Sequence, residues 1–290
     1  MRKSCLKKVA IITGANQGIG YETALGLAKR KMKIIMADKA DQTNSKNKII
    51  SETGNEEIIT EHLDLASFQS IRKFSEKFHH TNNHLDILIN NAGVFCCNKQ
   101  TTIDGLDAVM QINYLGPFLL TKCLENLLMQ TVGSRIIFVS SSGSFYHKMR
   151  LINLREPNYY NPYLISGAIQ YYNSKLCTMI AAKGFSEKLY SWNVISNCFH
   201  PGMTNTDFLI ADKKSTLVTK VVKRALVCLA QDKKNSAALS IFLATSESIK
   251  CVSGQYFVDY RVQRRPAILD NQGFCQRIWD ESVELVSLAH

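Results

Sequence analysis

The sequence predicts an α/β fold, a single doubly wound parallel sheet of about seven strands flanked by helices. Short apolar runs rich in β-branched residues alternate along the chain with segments of helical periodicity, a pattern typical of a parallel sheet. Turns rich in glycine, serine and asparagine follow several predicted strands, at the sheet edge where such folds bind ligands. With 290 residues, the chain is long enough for one such domain over residues 1–290.

The first strand–turn–helix unit carries a nucleotide-binding pattern. Val9–Thr13 (VAIIT) is typical of a buried strand, and YETALGLAKR contains good helix formers. The turn between them, TGANQGIG, lets the backbone approach a pyrophosphate, whose negative charge a helix N-terminus favours. Three residues separate the first two glycines, unlike GxGxxG, and a purely structural glycine turn is the alternative. The candidate cofactor-binding residues of this turn are Gly14, Asn16, Gln17, Gly18, Ile19 and Gly20.

The second predicted strand, Lys33–Asp38, ends in a carboxylate. Asp38 lies 18 residues after Gly20, and an acid at the end of this strand accepts hydrogen bonds from ribose hydroxyls and repels a 2′-phosphate. Asp38 therefore favours NAD(H), whereas Lys39 directly after it can offset the repulsion and admit NADP(H). A solvated strand end is the alternative interpretation of Asp38.

The remaining strands and helices follow in alternation. Predicted strands cover residues 57–64, 85–90, 134–140, 194–199 and 255–259. Ser67 is placed to cap the helix SFQSIRKFSEKF, and the run 105–130 predicts a helix that carries Asn113. Another helix surrounds Tyr171. Residues 271–288 predict an amphipathic helix in a helical tail over about 266–290, which packs on the core or on a second subunit of a homo-oligomer.

A phenol and an ammonium lie four residues apart in the run YYNSK. Residues with this spacing share one face of a helix, so Lys175 can reach the surroundings of Tyr171. A nearby positive charge favours the phenolate, and we expect it to lower the pKa of Tyr171 toward the working pH of an acid/base catalyst. A chance pair on a helix surface is the alternative, and Tyr172 is a rival phenol.

These motifs, taken in order, resemble those of the short-chain dehydrogenase/reductase family, which has a Rossmann-type fold. TGANQGIG resembles the family's TGxxxGxG, NNAG matches a family motif, and YYNSK matches YxxxK. INYLGPFLLT, IIFVSSSG and HPGMTNT resemble the segments that supply the family's catalytic Asn, its catalytic Ser and its loop over the nicotinamide. The resemblance covers about residues 7–260.

The resemblance implies a catalytic tetrad of Asn113, Ser141, Tyr171 and Lys175, in which Ser140 and Ser142 remain alternatives to Ser141. Tyr171 would be the acid/base, Ser141 would bind the substrate oxygen, Lys175 would hold the nicotinamide ribose, and Asn113 would place a water in a proton relay. The further cofactor-binding residues it implies are Asp64, Leu65, Asn91, Ala92, Gly93, Pro201, Gly202 and Thr204.

Within the family, the sequence is most similar to the retinol dehydrogenase-like branch. TGANQGIGYETA, DLASFQSIRKF and the 30-residue separation of Ser141 from Tyr171 carry this similarity. It implies a lipophilic alcohol or carbonyl substrate, such as a retinoid, steroid or polyprenol, and a small xenobiotic carbonyl is also an open alternative. The chain departs from that branch in having Asp38-Lys39 where an Arg is common, and Pro117 where a His is common.

Composition limits the other function classes. The net charge is +11, but the basic residues are scattered, so an anionic cofactor suffices as partner and nucleic acid is not expected. The nine cysteines form no CxxC ladder, so we expect no metal. With no signal peptide visible, we expect them to be reduced thiols in a cytoplasmic location. A catalytically silent nucleotide-binding regulator or interaction protein on the same fold is the non-enzymatic alternative.

Membrane contact is expected to be peripheral. No apolar run approaches the ~20 residues of a membrane span, and with twelve residues before Thr13 we expect no anchor ahead of the glycine turn. The amphipathic segment 213–230, within a lid predicted over about 205–230, can admit a lipophilic substrate at a membrane surface, or can be an ordinary packed helix.

Overall fold

The computed structural model describes residues 7–95, 101–149, 154, 165–202 and 233–288. Three sequence-based predictions lie outside these residues: the lid over about 205–230 with its amphipathic segment 213–230, and the cofactor-binding role of Thr204.

One mostly parallel sheet of eight strands organises the described residues. The strands lie in the order β3-β2-β1-β4-β5-β6-β7-β8, and each neighbouring pair is parallel except β7 and β8. The predicted doubly wound α/β class is therefore confirmed. The strands are β1 (Val9–Thr13), β2 (Lys33–Asp38), β3 (Ile58–His62), β4 (Ile87–Asn90), β5 (Arg135–Val139), β6 (Ile195–Phe199), β7 (Tyr256–Val258) and β8 (Arg261–Val262).

Helices cover both faces of this sheet. They are α1 (Gly18–Ala28), α2 (Thr43–Thr53), α3 (Phe68–Thr81), α4 (Ala108–Met110), α5 (Gly116–Gln130), α6 (Ile165–Lys188), α7 (Lys233–Thr245) and α8 (Gln272–Leu288). Ser67 caps α3 as predicted, since its hydroxyl accepts a hydrogen bond from the Ser70 amide at 3.2 Å. Within the described ranges, no helix is both long and apolar enough to cross a membrane.

The core has two layers because successive strand residues point to opposite faces of the sheet. Val9 and Ile11 of β1 belong to the layer covered by α3, α5, α6 and α8, whereas Ala10 and Ile12 belong to the layer covered by α1, α2 and α7. Buried β1, β4, β5 and β6 lie at the centre of the sheet. The polar turns that begin at their carboxyl ends are therefore supported by buried apolar strands.

The prediction of about seven strands missed the edge strand β8. The chain reverses after β7 through Asp259 and Tyr260, which both have positive φ (47° and 65°). This two-residue turn pairs Val258 with Arg261 in antiparallel fashion. Asp-Tyr lacks the glycine or asparagine by which such turns are recognised in a sequence.

The helix predicted over residues 105–130 begins later and is interrupted. Gly105 has φ +75°, and the Asp107 side chain accepts a hydrogen bond from the Met110 amide at 2.9 Å, so the helix starts at Ala108. A π-helical turn over Gln111–Leu115 then joins α4 to α5. Such turns displace side chains from the regular helical positions, and Asn113 stands at the centre of this one.

Helix α8 packs on the core beside α5 and α6. The Trp279 ring makes edge contacts with Phe118 of α5 and Phe185 of α6, both with ring centroids 4.9 Å apart. Ser282 lies 2.6 Å from the Tyr114 hydroxyl, and Arg72 donates to the carbonyl of Val286 at 2.5 Å. Of the two sequence-based expectations for the tail, packing on its own core is the one observed.

Candidate active site

The glycine turn brings three backbone segments too close for side chains. Gly14 and Gly18 have positive φ (+65° and +63°). A Cβ on Gly14 would lie 2.9 Å from Cα of Ala92, and one on Gly20 would lie 2.2 Å from the Gly14 carbonyl oxygen. The N-cap of α1, Gln17, makes no side-chain cap hydrogen bond. The first backbone N–H groups of α1 therefore face the glycine turn without a cap from the Gln17 side chain, and such groups bind the negative charge of a pyrophosphate.

The carboxyl ends of β1 and β4 are tied together beneath this turn. The Thr13 hydroxyl accepts hydrogen bonds from the amides of Asn91 and Ala92, both at 3.0 Å. The Asn91 side chain donates to the carbonyls of Thr13 and Gly14 at 2.8 and 3.3 Å. Asn91 thus fixes the glycine turn from below.

Asp38 stands at the end of β2 beside the same turn. Its carboxylate accepts from the backbone amides of Asn16 at 3.4 Å and Ala40 at 3.1 Å. Asn16 is held in turn by the Ser45 hydroxyl, which donates to its carbonyl and its side-chain oxygen at 2.7 and 2.9 Å. Asp38 is half-buried and Lys39 is exposed, so the carboxylate is the less solvated of the two charges.

Asp64 and Leu65 follow β3 at the same edge. Asp64 accepts a hydrogen bond from the Ala66 amide at 2.9 Å, which shapes the turn before α3. A Cβ on Gly116 would lie 2.7 Å from the Leu65 carbonyl oxygen, so this turn sits directly against the start of α5.

The three serines after β5 have different surroundings. Ser140 is buried, and its hydroxyl donates to the Lys175 carbonyl at 2.9 Å. Ser142 is exposed and contacts His200. The Ser141 hydroxyl accepts from the Gly143 amide at 3.1 Å and hydrogen-bonds the Tyr171 side chain. Of these three described serines, Ser141 is the one brought to the phenol.

Tyr171 projects from α6 toward Ser141. Burial raises the pKa of its phenol to about 12, and the Ser141 hydrogen bond opposes part of this rise. The expected lowering of this pKa is therefore wrong, because removal from water disfavours the phenolate more than the Ser141 hydrogen bond favours it. The phenol is protonated at neutral pH, the form that can donate a proton to a carbonyl oxygen.

Lys175 lies one helical turn after Tyr171, as the spacing predicted. Its Nζ is 5.7 Å from the centre of the Tyr171 ring and donates to the Val139 carbonyl at 2.8 Å. Burial lowers the pKa of Lys175 to about 8. The ammonium is thus buried beside the phenol and held by one backbone carbonyl.

Asn113 joins the strand end of β4 to α6. Its side-chain oxygen accepts from the Val94 amide at 2.7 Å, and its nitrogen donates to the Val94 carbonyl at 2.9 Å and to the Ser174 hydroxyl at 3.0 Å. A Cβ on Gly93 would lie 3.2 Å from the Asn113 oxygen and 3.4 Å from Lys175 Nζ. Asn113 and Lys175 therefore flank one glycine.

The His200–Gly202 turn closes the site from β6. The Ser142 amide donates to His200 Nδ1 at 3.3 Å, and the His200 amide donates to the Phe257 carbonyl at 2.9 Å. Burial lowers the pKa of His200, and Asp259 opposes this shift. Gly202 has φ +80°, and the Pro201 carbonyl accepts a hydrogen bond from the Ser236 hydroxyl.

Thr13, Ser174 and His200 are parts of this arrangement that the sequence did not single out. Thr13 opens the glycine motif, and Ser174 directly precedes Lys175 in YYNSK, so their positions inside motifs were the available signal. His200 precedes the Pro-Gly pair. None of the three belongs to a cluster suited to a metal, and the described residues contain no such cluster.

The arrangement is that of a dinucleotide-dependent oxidoreductase. The family model for the short chain dehydrogenases matches residues 8–153. The chain belongs to the short-chain dehydrogenase/reductase family, and relatives named retinol dehydrogenases, 30–36% identical over 97% of the chain, show that it belongs to the retinol dehydrogenase-like branch.

Similar proteins cover nearly the whole chain. Retinol dehydrogenase 13 of Homo sapiens is 36% identical over 97% of this chain and 85% of its own. Retinol dehydrogenase 11 of Mus musculus is 32% identical over 97% of this chain and 87% of its own. An uncharacterised protein from Mycobacterium paratuberculosis has the same fold, with a TM-score of 0.75 at 23% identity, covering 97% of this chain and 93% of that one.

Proposed function

We propose that this protein transfers a hydride between a nicotinamide cofactor and a lipophilic alcohol or carbonyl compound, with Tyr171 as the acid/base. The observation that carries the proposal is the convergence of Ser141, Tyr171 and Lys175 at one edge of the sheet, where Ser141 hydrogen-bonds the phenol and the Lys175 ammonium lies 5.7 Å from its ring. A hydroxyl, a phenol and an ammonium together can bind an oxygen and move its proton.

Each residue has a role that its position supports. Ser141 and Tyr171 donate hydrogen bonds to the substrate oxygen, and Tyr171 exchanges the proton with it. Lys175 stabilises charge on the phenol and holds the cofactor's ribose. Asn113, bonded to the backbone of Val94, orders the polar path that leads to Lys175.

The cradle around the glycine turn fits a dinucleotide. A Cβ added to Gly14 or Gly20 would lie within 2.9 Å of a backbone atom, so the turn has room only for glycine at these positions. The backbone N–H groups at the start of α1 face the same turn. When bound, the nicotinamide supplies or accepts the hydride. The residues that would hold it, besides Tyr171 and Lys175, are Gly14, Asn16, Gln17, Gly18, Ile19, Gly20, Asp38, Asp64, Leu65, Asn91, Ala92, Gly93, Pro201 and Gly202.

Asp38 favours NAD(H) over NADP(H). Its carboxylate is fixed by two backbone amides at the end of β2, whereas the Lys39 side chain is exposed. A fixed negative charge repels a 2′-phosphate more strongly than a solvated lysine attracts it.

The substrate class follows from the relatives. Proteins named retinol dehydrogenases are 30–36% identical to the chain, and retinol is a lipophilic primary alcohol. We infer that a retinoid-like alcohol, or the corresponding aldehyde, is the substrate.

The Tyr171→Phe variant tests the chemistry. It should lose about 10²- to 10⁴-fold in kcat, because the acid/base proton is removed, while cofactor affinity is retained. The measurement is absorbance of the reduced nicotinamide with a panel of lipophilic alcohols and aldehydes. Turnover at the wild-type rate by Tyr171→Phe would contradict the proposal.

Asp38 is tested separately by cofactor binding. Wild-type protein should bind NAD(H) more tightly than NADP(H), and Asp38→Ala should lower that preference by about tenfold or more, as expected for a lost charge repulsion. Lys39→Ala, one residue away, is the control and should not weaken NAD(H) binding. Wild-type preference for NADP(H) would show that Lys39 dominates.

A further inference from the structure

Four aromatic rings form a continuous row through the active site. The row starts at Phe95, whose ring centroid lies 5.1 Å from that of Tyr171. It continues from Tyr171 to Tyr172 over 6.1 Å, and from Tyr172 to Tyr146 over 5.9 Å. We call Phe95, Tyr171, Tyr172 and Tyr146 the aromatic row. The phenol proposed to carry the acid/base chemistry is therefore one member of a longer aromatic surface.

The row is built into the backbone beside Ser141. A Cβ on Gly143 would lie 2.4 Å from a ring carbon of Tyr172, so the Tyr172 ring rests directly on the Gly143 backbone. Gly143 also donates its amide to the Ser141 hydroxyl. The same residue thus fixes the position of the serine that faces the substrate oxygen and that of the ring beside it.

The outer end of the row is open. Tyr146 is 70% exposed, and the neighbouring Phe145 is 46% exposed. Large aromatic groups at the surface are common at binding sites because they offer wide apolar contact with little loss of side-chain freedom. Tyr146 stands two ring contacts away from the catalytic phenol, at the solvent-exposed end of the row.

We propose that the aromatic row binds the carbon chain of an extended unsaturated alcohol or aldehyde, and that Tyr146 selects for chain length. This inference rests on the proposed function, since it places the substrate oxygen at Ser141 and Tyr171. A short substrate reaches Tyr171 and Tyr172, whereas a long one also covers Tyr146. Stacking of conjugated or isoprenoid carbons on flat rings favours extended unsaturated chains over compact ones.

Two alcohols with the same reacting group test the proposal. Prenol and farnesol share an allylic alcohol head and differ in the length of the isoprenoid chain. The quantity measured is the ratio of kcat/KM for farnesol to that for prenol, at saturating cofactor. Tyr146→Ala should lower this ratio by about three- to tenfold, as expected for the loss of one aromatic contact.

Tyr190 supplies a matched control. Tyr190 is also an exposed tyrosine, at 79% exposure, but it lies in the turn Tyr190–Trp192 that precedes β6. This turn is at the amino ends of the strands, whereas the candidate active site is at their carboxyl ends. Tyr190→Ala should leave the ratio within about twofold of the wild type. An unchanged ratio in Tyr146→Ala, or an equal loss for both alcohols, would overturn the proposal.

Binding separates this proposal from the proposed function. If the wild type oxidises neither alcohol, the function fails, and calorimetric titration of farnesol into wild type and Tyr146→Ala still tests the row. A three- to tenfold loss of farnesol affinity would support it. Equal affinities, or no binding to the wild type, would overturn it.

Discussion

At the residue scale, the neighbouring serines Ser140 and Ser141 have different expected roles because their hydroxyls face different partners. Ser140 faces α6 and bonds a backbone carbonyl, whereas Ser141 faces the Tyr171 phenol. Ser141→Ala should reduce kcat/KM by about 10²- to 10³-fold, the usual effect of removing a donor to a reacting oxygen. Ser140→Ala should instead cost about 1 kcal/mol in the free energy of unfolding, because a buried carbonyl loses a partner. Steady-state kinetics and urea unfolding of both variants would separate the roles, and the reverse pattern would show that Ser140 is catalytic.

Lys175 makes the stability of the protein depend on pH. Its pKa is about 8 when folded, against an ordinary value of 10.5. Between these values the unfolded chain binds more protons, so the wild type gains stability as pH rises from about 8 to 10.5 and loses it as pH falls through 8. The wild type should therefore gain up to roughly 3 kcal/mol relative to Lys175→Met over this range.

An exposed lysine provides the control for the pH dependence expected of the buried Lys175. Lys39→Met removes an exposed ammonium, and its unfolding free energy should follow that of the wild type across the same pH range. Urea unfolding at pH 7, 8, 9 and 10 measures the three proteins. A constant difference between the wild type and Lys175→Met would mean that the Lys175 ammonium is not desolvated in the folded state.

At the scale of elements, the junction of β1 and α1 depends on the absence of side chains. Gly20→Ala would place a Cβ 2.2 Å from the Gly14 carbonyl oxygen, so the turn must open to relieve the clash. Cofactor affinity should fall by at least about tenfold, since the amides that face the pyrophosphate are displaced. Titration with the dinucleotide, monitored by calorimetry, measures this effect.

Gly273 offers the control for this substitution. It lies in the first turn of α8, where the nearest atom to an added Cβ is the Asn271 side-chain oxygen at 3.6 Å. Gly273→Ala should therefore leave cofactor affinity unchanged and stabilise the fold by about 0.4–1 kcal/mol. Similar cofactor affinities in Gly20→Ala and the wild type would show that the turn tolerates a side chain.

At the scale of the whole molecule, α8 completes the core layer over α5 and α6. Trp279 is 5% exposed, and its ring lies between Phe118 and Phe185. Trp279→Ala should lower the free energy of unfolding by about 3–5 kcal/mol, because it leaves a cavity among buried rings. Trp192, the other tryptophan of the chain, is 53% exposed, and Trp192→Ala should change stability by about 0.5 kcal/mol or less. Equal losses in urea unfolding would contradict this packing.

Local patterns in the sequence predicted most of the elements and the order of the motifs, but they missed β8 and the interruption of the helix predicted over residues 105–130. Strand periodicity, the glycine turn and the YxxxK spacing are local patterns, so they predicted β1 to β7 and the pairing of Tyr171 with Lys175 along one helix. These properties depend on contacts between residues close in the chain.

Which groups meet across the chain, and how their pKa values shift, follows from the packing of distant segments. Contacts between distant segments bring Ser141 to the phenol, bury Tyr171 and assemble the aromatic row. Desolvation is a property of the packed environment rather than of spacing, so the four-residue spacing of Tyr171 and Lys175 could not show that burial raises the pKa of the phenol.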